Sequence, residues 1–108
     1  MKHFLFFIFF LNSFLCSEEY YLSLGAFQNI YYAEKFKSQL KENNIETLLE
    51  DVIINNINFR RVLYKNKFFS SEDALNFKNS LNLFINGKKY NTSGLWIRKG
   101  PLKGNIIE

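Results

Sequence analysis

The chain has 108 residues and a net charge of +4, and nearly half of its residues are hydrophobic. It holds one cysteine, Cys16, and one histidine, His3. A domain built from the remainder has no disulfide staple, no imidazole for acid–base catalysis and no ordinary zinc site, and its mild basicity suits many anionic surfaces without selecting one.

Met1 to His3 is a short basic start, and Phe4 to Leu11 is an unbroken apolar run that ends in Asn12 to Ser17. This is the layout of a secretory signal peptide covering residues 1–17. Phe4 to Cys16 falls short of the ~20 apolar residues that span a bilayer. Cys16 offers a second reading, as the lipid-bearing first residue of a lipoprotein, although Phe14 and Leu15 before it are larger than such a processing site favours.

Beyond that segment, Tyr20 to Leu24 alternates in polarity and is expected to be a strand. Gly25 to Asn29 is expected to turn, with Asn29 as N-cap of a helix over Ile30 to Glu42, where Tyr32, Ala33, Phe36 and Leu40 fall at helical spacing. Asn43-Asn44 ends it. Ile45 to Ile54 and Ile57 to Tyr64 are expected to be strands joined at Asn55-Asn56, a pair that tolerates the positive φ of a tight hairpin. Ser70-Ser71-Glu72-Asp73 offers the N-cap of a second helix with acids in its first turn, and Ala74, Phe77, Leu81 and Phe84 are expected on its buried stripe. Asn86-Gly87 is expected to stop it. Lys88 to Ser93 is a polar connection, Leu95 to Arg98 a short fourth strand, and residues 99–108, with Gly100-Pro101 and Gly104, a mobile tail.

A spacing recurs in this order. Phe27, Ala33, Phe36 and Leu40 repeat as Phe68, Ala74, Phe77 and Leu81, each set reading F-x5-A-x2-F-x3-L. Two such units are too few for a solenoid and point to one pseudo-symmetric domain over residues 18–98. The order β-α-β-β-α-β predicts an α+β fold: a four-stranded antiparallel sheet with both helices on one face, strands one and three central, strand four beside one and strand two beside three.

Alternation then sorts the side chains. With Leu22, Leu24, Val62, Tyr64, Leu95 and Ile97 under the helices, the other face carries Tyr21, Ser23, Leu48, Glu50, Phe59, Arg61, Leu63, Trp96 and Arg98. A turn at Asn55-Asn56 sets Glu50 opposite Arg61 and Leu48 opposite Leu63. Exposed aromatic rings and a guanidinium on a shallow sheet suit a sugar or a base. Arg61 has two readings, ligand contact or cross-strand pairing with Glu50. Trp96 also has two, outward or, after a one-residue slip, closing the end of the core.

The run Tyr20 to Phe27 (YYLSLGAF), with Ala33 and Leu40 after it, and the second run Arg61-Val62-Leu63-Tyr64 leading to Phe68, Ala74 and Leu81, resemble the two halves of a SPOR domain, the sporulation-related repeat of bacterial envelope proteins. The resemblance covers Tyr20 to about Arg98. Ser23 stands where that family often has Gln, and Lys65-Asn66 replaces its Gly-Pro. The resemblance implies non-catalytic binding of peptidoglycan, preferentially glycan strands lacking stem peptides, at division or wall-remodelling sites, by a monomer exported across the inner membrane to the periplasm or envelope. It implies glycan contacts from Tyr21, Ser23, Arg61, Leu63 and Trp96, with Ser23 and Arg61 hydrogen-bonding, Trp96 stacking, and Tyr21 and Leu63 lining the groove.

No catalytic residue, cofactor or metal ligand is assigned, since no carboxylate pair falls in an evident cleft. Partners beyond the glycan are division or wall-remodelling proteins. The membrane enters only through an N-terminal anchor or lipid. An alternative is an envelope adaptor that binds a protein partner. An RNA-recognition reading shares the element order, but Phe59 to Tyr64 lacks the Gly- and Phe-rich third-strand motif, so no nucleic acid is expected.

Overall fold

The computed structural model describes residues 18–102 and 104–107. The expected signal peptide and Cys16 lie outside them. The elements are β1 (Tyr20–Phe27), α1 (Ile30–Glu42), β2 (Thr47–Ile54), β3 (Ile57–Tyr64), α2 (Ser71–Ser80), β4 (Phe84–Ile85), β5 (Lys88–Lys89), β6 (Trp96–Lys99) and β7 (Asn105–Ile107). The fold is α+β. Its main sheet runs β6-β1-β3-β2-β7 with every pairing antiparallel, and β4-β5 form a separate hairpin. The expected four-strand order is present, but the sheet has five strands because Asn105–Ile107 pairs with the edge of β2. The segment expected to be a mobile tail therefore begins inside β6 and ends in β7. Asn105-Ile106-Ile107 supplies apolar side chains to both faces, and that outweighs the loop signal of the Gly and Pro before it.

Local chemistry sets the element ends. Asn29 Oδ1 accepts the Tyr31 N–H at 2.9 Å, and Ser70 Oγ accepts that of Asp73 at 3.1 Å, each satisfying an orphan donor of a first helical turn. Asn55 and Asn56 both take positive φ, as a two-residue hairpin turn demands. Asn86 and Gly87 do likewise, at φ 54° and 75°, but as the turn between β4 and β5. The second helix does not reach them. It ends at Ser80, and Phe84 is exposed rather than on its stripe. Asn43 explains this. Its side chain bonds both the N–H and the C=O of Phe84, at 3.0 and 2.9 Å, and pins that backbone to the end of α1.

The core lies between the sheet and both helices. Leu22, Leu24, Leu49 and Val62 meet Ala33, Phe36 and Leu40 of α1, with Phe77 and Leu81 from the second half packed against them. The recurrent spacing becomes a recurrent contact: the rings of Phe27 and Phe36 lie 5.5 Å apart, and those of Phe68 and Phe77 5.4 Å apart. Gly25 is strand, not turn. A Cβ there would sit 3.1 Å from both Phe27 and Phe36, so glycine lets the first ring pair close over the sheet.

Asp51 and Arg60, paired across β2 and β3, form a bidentate ion pair at 2.7 and 2.8 Å, and Arg60 also reaches Glu34 of α1. The guanidinium holds the Asp51 carboxyl below its ordinary range. Asp51→Asn is expected to cost about 1 kcal/mol at neutral pH, since the pair is partly exposed. A depressed carboxyl stabilises the fold above its unfolded value near ~3.9, and that contribution fades as pH falls through the folded value. Urea unfolding of the two proteins should therefore differ at pH 7 and converge in strong acid.

Candidate functional site: a strapped sheet face

The register places all nine expected side chains on the face opposite the helices. Tyr21 pairs with Arg98 and Ser23 with Trp96; Leu48 pairs with Leu63, Glu50 with Arg61 and Val52 with Phe59. In β1, Leu24 and Gly25 together oppose Val62, a bulge that returns Ala26 to this same face, opposite Arg61. Ala26 was not expected there. Gly25 inside an apolar strand run was the signal for such a bulge.

This face was expected to lie bare, and it does not. β6 and β7 occupy opposite edges of the sheet, so the chain between Lys99 and Asn105 must cross all three strands between them. Four strand spacings amount to as much as ~19 Å, and six residue steps reach only about 20 Å, so the link has almost no slack. It crosses on the helix-free side. Arg98 Nη1 donates to the Pro101 carbonyl at 3.2 Å, and the Gly104 N–H reaches Glu50 Oε2 at 3.4 Å. Gly104 lies flat on β2, where a Cβ would overlap the Asp51 carbonyl oxygen.

Beneath this strap Glu50 is fully buried. Arg98 approaches its Oε2 at 3.2 Å and Arg61 its Oε1 at 3.6 Å. Leu63 and Leu48 are buried on the same side, and Tyr21 is only 8% exposed. Burial, with the nearby Glu19 carboxylate, pushes the Tyr21 phenol pKa up. Tyr21 and Leu63, both expected to line the groove, are therefore on the correct face but withdrawn from solvent. Alternation assigns a face, and only the placement of Gly100 to Leu102 and of Gly104 decides its coverage.

The uncovered part of the face is a groove of about 1060 Å³. Its floor is Ser23 to Ala26 with Arg61, one bank runs from Leu95 through Trp96 to Lys99, the other holds Val52 and Phe59, and Gly104 bounds it at the strap. Trp96 stands 75% exposed, so the slipped register that would bury it is not adopted. Of the five expected contact residues, Ser23, Arg61 and Trp96 are brought together here. Arg61 makes the cross-strand pair with Glu50 and also borders the groove. Asp51 is the carboxylate among the groove's lining residues, and its oxygens are held by Arg60. Among the described residues no group of acidic, His or Cys side chains could hold a metal ion. The groove offers an aromatic platform, hydroxyl and guanidinium donors and an apolar floor, which together can stack and hydrogen-bond a neutral ligand.

Removing Glu50 leaves two largely buried guanidinium groups facing each other without their carboxylate. Glu50→Ala is expected to lose about 3 kcal/mol of stability in chemical denaturation, far more than the surface substitution Lys99→Ala. Among known proteins, no family model matches the chain, and neither a curated protein nor a solved structure matches it.

Proposed function

We propose that the chain is a SPOR-like envelope module that binds peptidoglycan without catalysis, holding glycan strands stripped of stem peptides in the groove beside the strap. The observation that carries this reading is Trp96: a 75% exposed indole beside Ser23, at the rim of a groove floored by Arg61. An exposed tryptophan costs solubility and adds nothing to the core, and its face is suited to stacking on a sugar ring. The order β6-β1-β3-β2, with both helices on one face, agrees with the arrangement this family implies, and β7 with its strap is an addition to it. The contact set is Trp96, Ser23 and Arg61, joined by Phe59 and Ala26. In this reading the protein acts in the periplasm or envelope as a monomer, near wall-remodelling partners.

The adaptor reading has its own observation. Ile53, Ile54 and Ile57 at the β2–β3 hairpin tip, and Ile30, Tyr31 and Tyr32 at the start of α1, are exposed. Sedimentation with purified sacculi, before and after amidase removal of stem peptides, separates the two. The mature chain is expected to pellet, and more strongly after amidase. Trp96→Ala should weaken binding by about 2 kcal/mol, roughly thirtyfold, with an unchanged melting temperature. No pelleting of the wild-type chain would refute the glycan reading in favour of a protein partner. Equal pelleting of both proteins would remove Trp96 from the site.

A further inference from the structure

The transverse row Trp96–Ser23–Leu63–Leu48 crosses the sheet strand by strand. Its first half is open groove, and its second half is buried. A linear ligand stacked on Trp96 and continuing along this row would run into the footprint of Gly100, Pro101 and Gly104. The strap runs obliquely over the strands, from the level of Tyr20 to that of Asp51, as it joins opposite edges. It meets the face through peptide groups: the Pro101 C=O accepts from Arg98, and the Gly104 N–H donates to Glu50. An N-acetylated sugar presents the same two groups in its acetamido substituent, one carbonyl acceptor and one N–H donor.

Resting on the glycan reading above, we propose that the strap is an internal competitor for the ligand, and that the covered half of the face is the continuation of the site for an N-acetylated saccharide strand. When the strap lifts, the acetamido C=O takes the place of Pro101 on Arg98 and the acetamido N–H that of Gly104 on Glu50. The buried charges keep hydrogen-bond partners throughout, so the exchange leaves no polar group stranded. Leu63, Leu48 and Tyr21 then become the apolar floor on which further rings lie. The strap is held lightly enough to exchange. Its seat is a three-residue ladder on an edge strand, Ile106 within it is 41% exposed, and the Gly104–Glu50 contact is long at 3.4 Å. Opening costs one short edge strand, whereas the helix-covered core stays intact.

Gly104 is the point at which to test this, because any Cβ there collides with the Asp51 carbonyl and must raise the strap. Asn105→Pro is an independent second variant, removing the backbone donor that faces Asp51 across the β2–β7 pair. The mature chain, Gly104→Ala and Asn105→Pro would be titrated with an N-acetylglucosamine oligomer of six units, and amide exchange at Ile107 would report whether the strap has lifted. Both variants are expected to lose that protection, keep their helical signal and bind about tenfold more tightly than the wild type. Lost protection with equal or weaker binding, in a series whose wild type binds, would overturn the competitor and leave the groove standing. Retained protection in both variants would overturn the seat. Binding by neither wild type nor variants, with protection lost, would instead refute the glycan reading itself.

Discussion

The two outer strands of the sheet are successive in the chain and lie at opposite edges, and their short link can only run obliquely across one face. The helices fill the other face, so the link takes the free one. From this constraint follow the burial of Glu50, Leu63, Leu48 and Tyr21, the need for glycine where the link lies on β2, and the confinement of open surface to the side bearing Trp96. A carboxylate at the centre of a sheet face is tolerable only when paired, and Arg61 and Arg98 reach it from two other strands. The ion cluster thus ties β6, β3 and β2 together beneath the strap.

The opposite face is governed by the duplicated aromatic pair. Phe27 on Phe36 and Phe68 on Phe77 place each helix on the sheet at matching ring separations, and Tyr64 stacks on Phe77 at 4.3 Å to extend the second pair. Apolar contacts of this kind fix the position of the helices, which in turn fixes the sheet plane from which the groove is cut. The halves are not identical. Gly25 lets the first pair close against strand β1, whereas Phe68 lies beyond β3 and bridges back to Tyr20. β1 is also bulged at Leu24-Gly25, which turns Ala26 onto the groove side opposite Arg61.

The sequence was most legible where a local rule and the core agreed. Asn29 and Ser70 cap their helices, Asn55-Asn56 makes the hairpin, and that hairpin sets the Glu50–Arg61 and Leu48–Leu63 register. It misled where one local signal fits two structures. Asn86-Gly87 reads equally as a helix stop or a hairpin turn, and the clamp of Asn43 on Phe84, forty-one residues away in sequence, decides between them. Gly25 reads as a turn or a bulge, and the phenylalanine rings above it decide. Gly100-Pro101 and Gly104 read as a loose end, because nothing local announces an edge strand waiting at β2.

Side-chain period by itself determined which residues share the free face, since alternation along a strand is a property of the backbone. It determined the two aromatic stripes for the same reason, through the helical repeat. Exposure on that face was settled only by the tertiary structure, because it depends on where a distant segment crosses. Tyr21, Leu63 and Trp96 share a face by sequence, and the strap alone makes the first two interior and leaves the third in solvent.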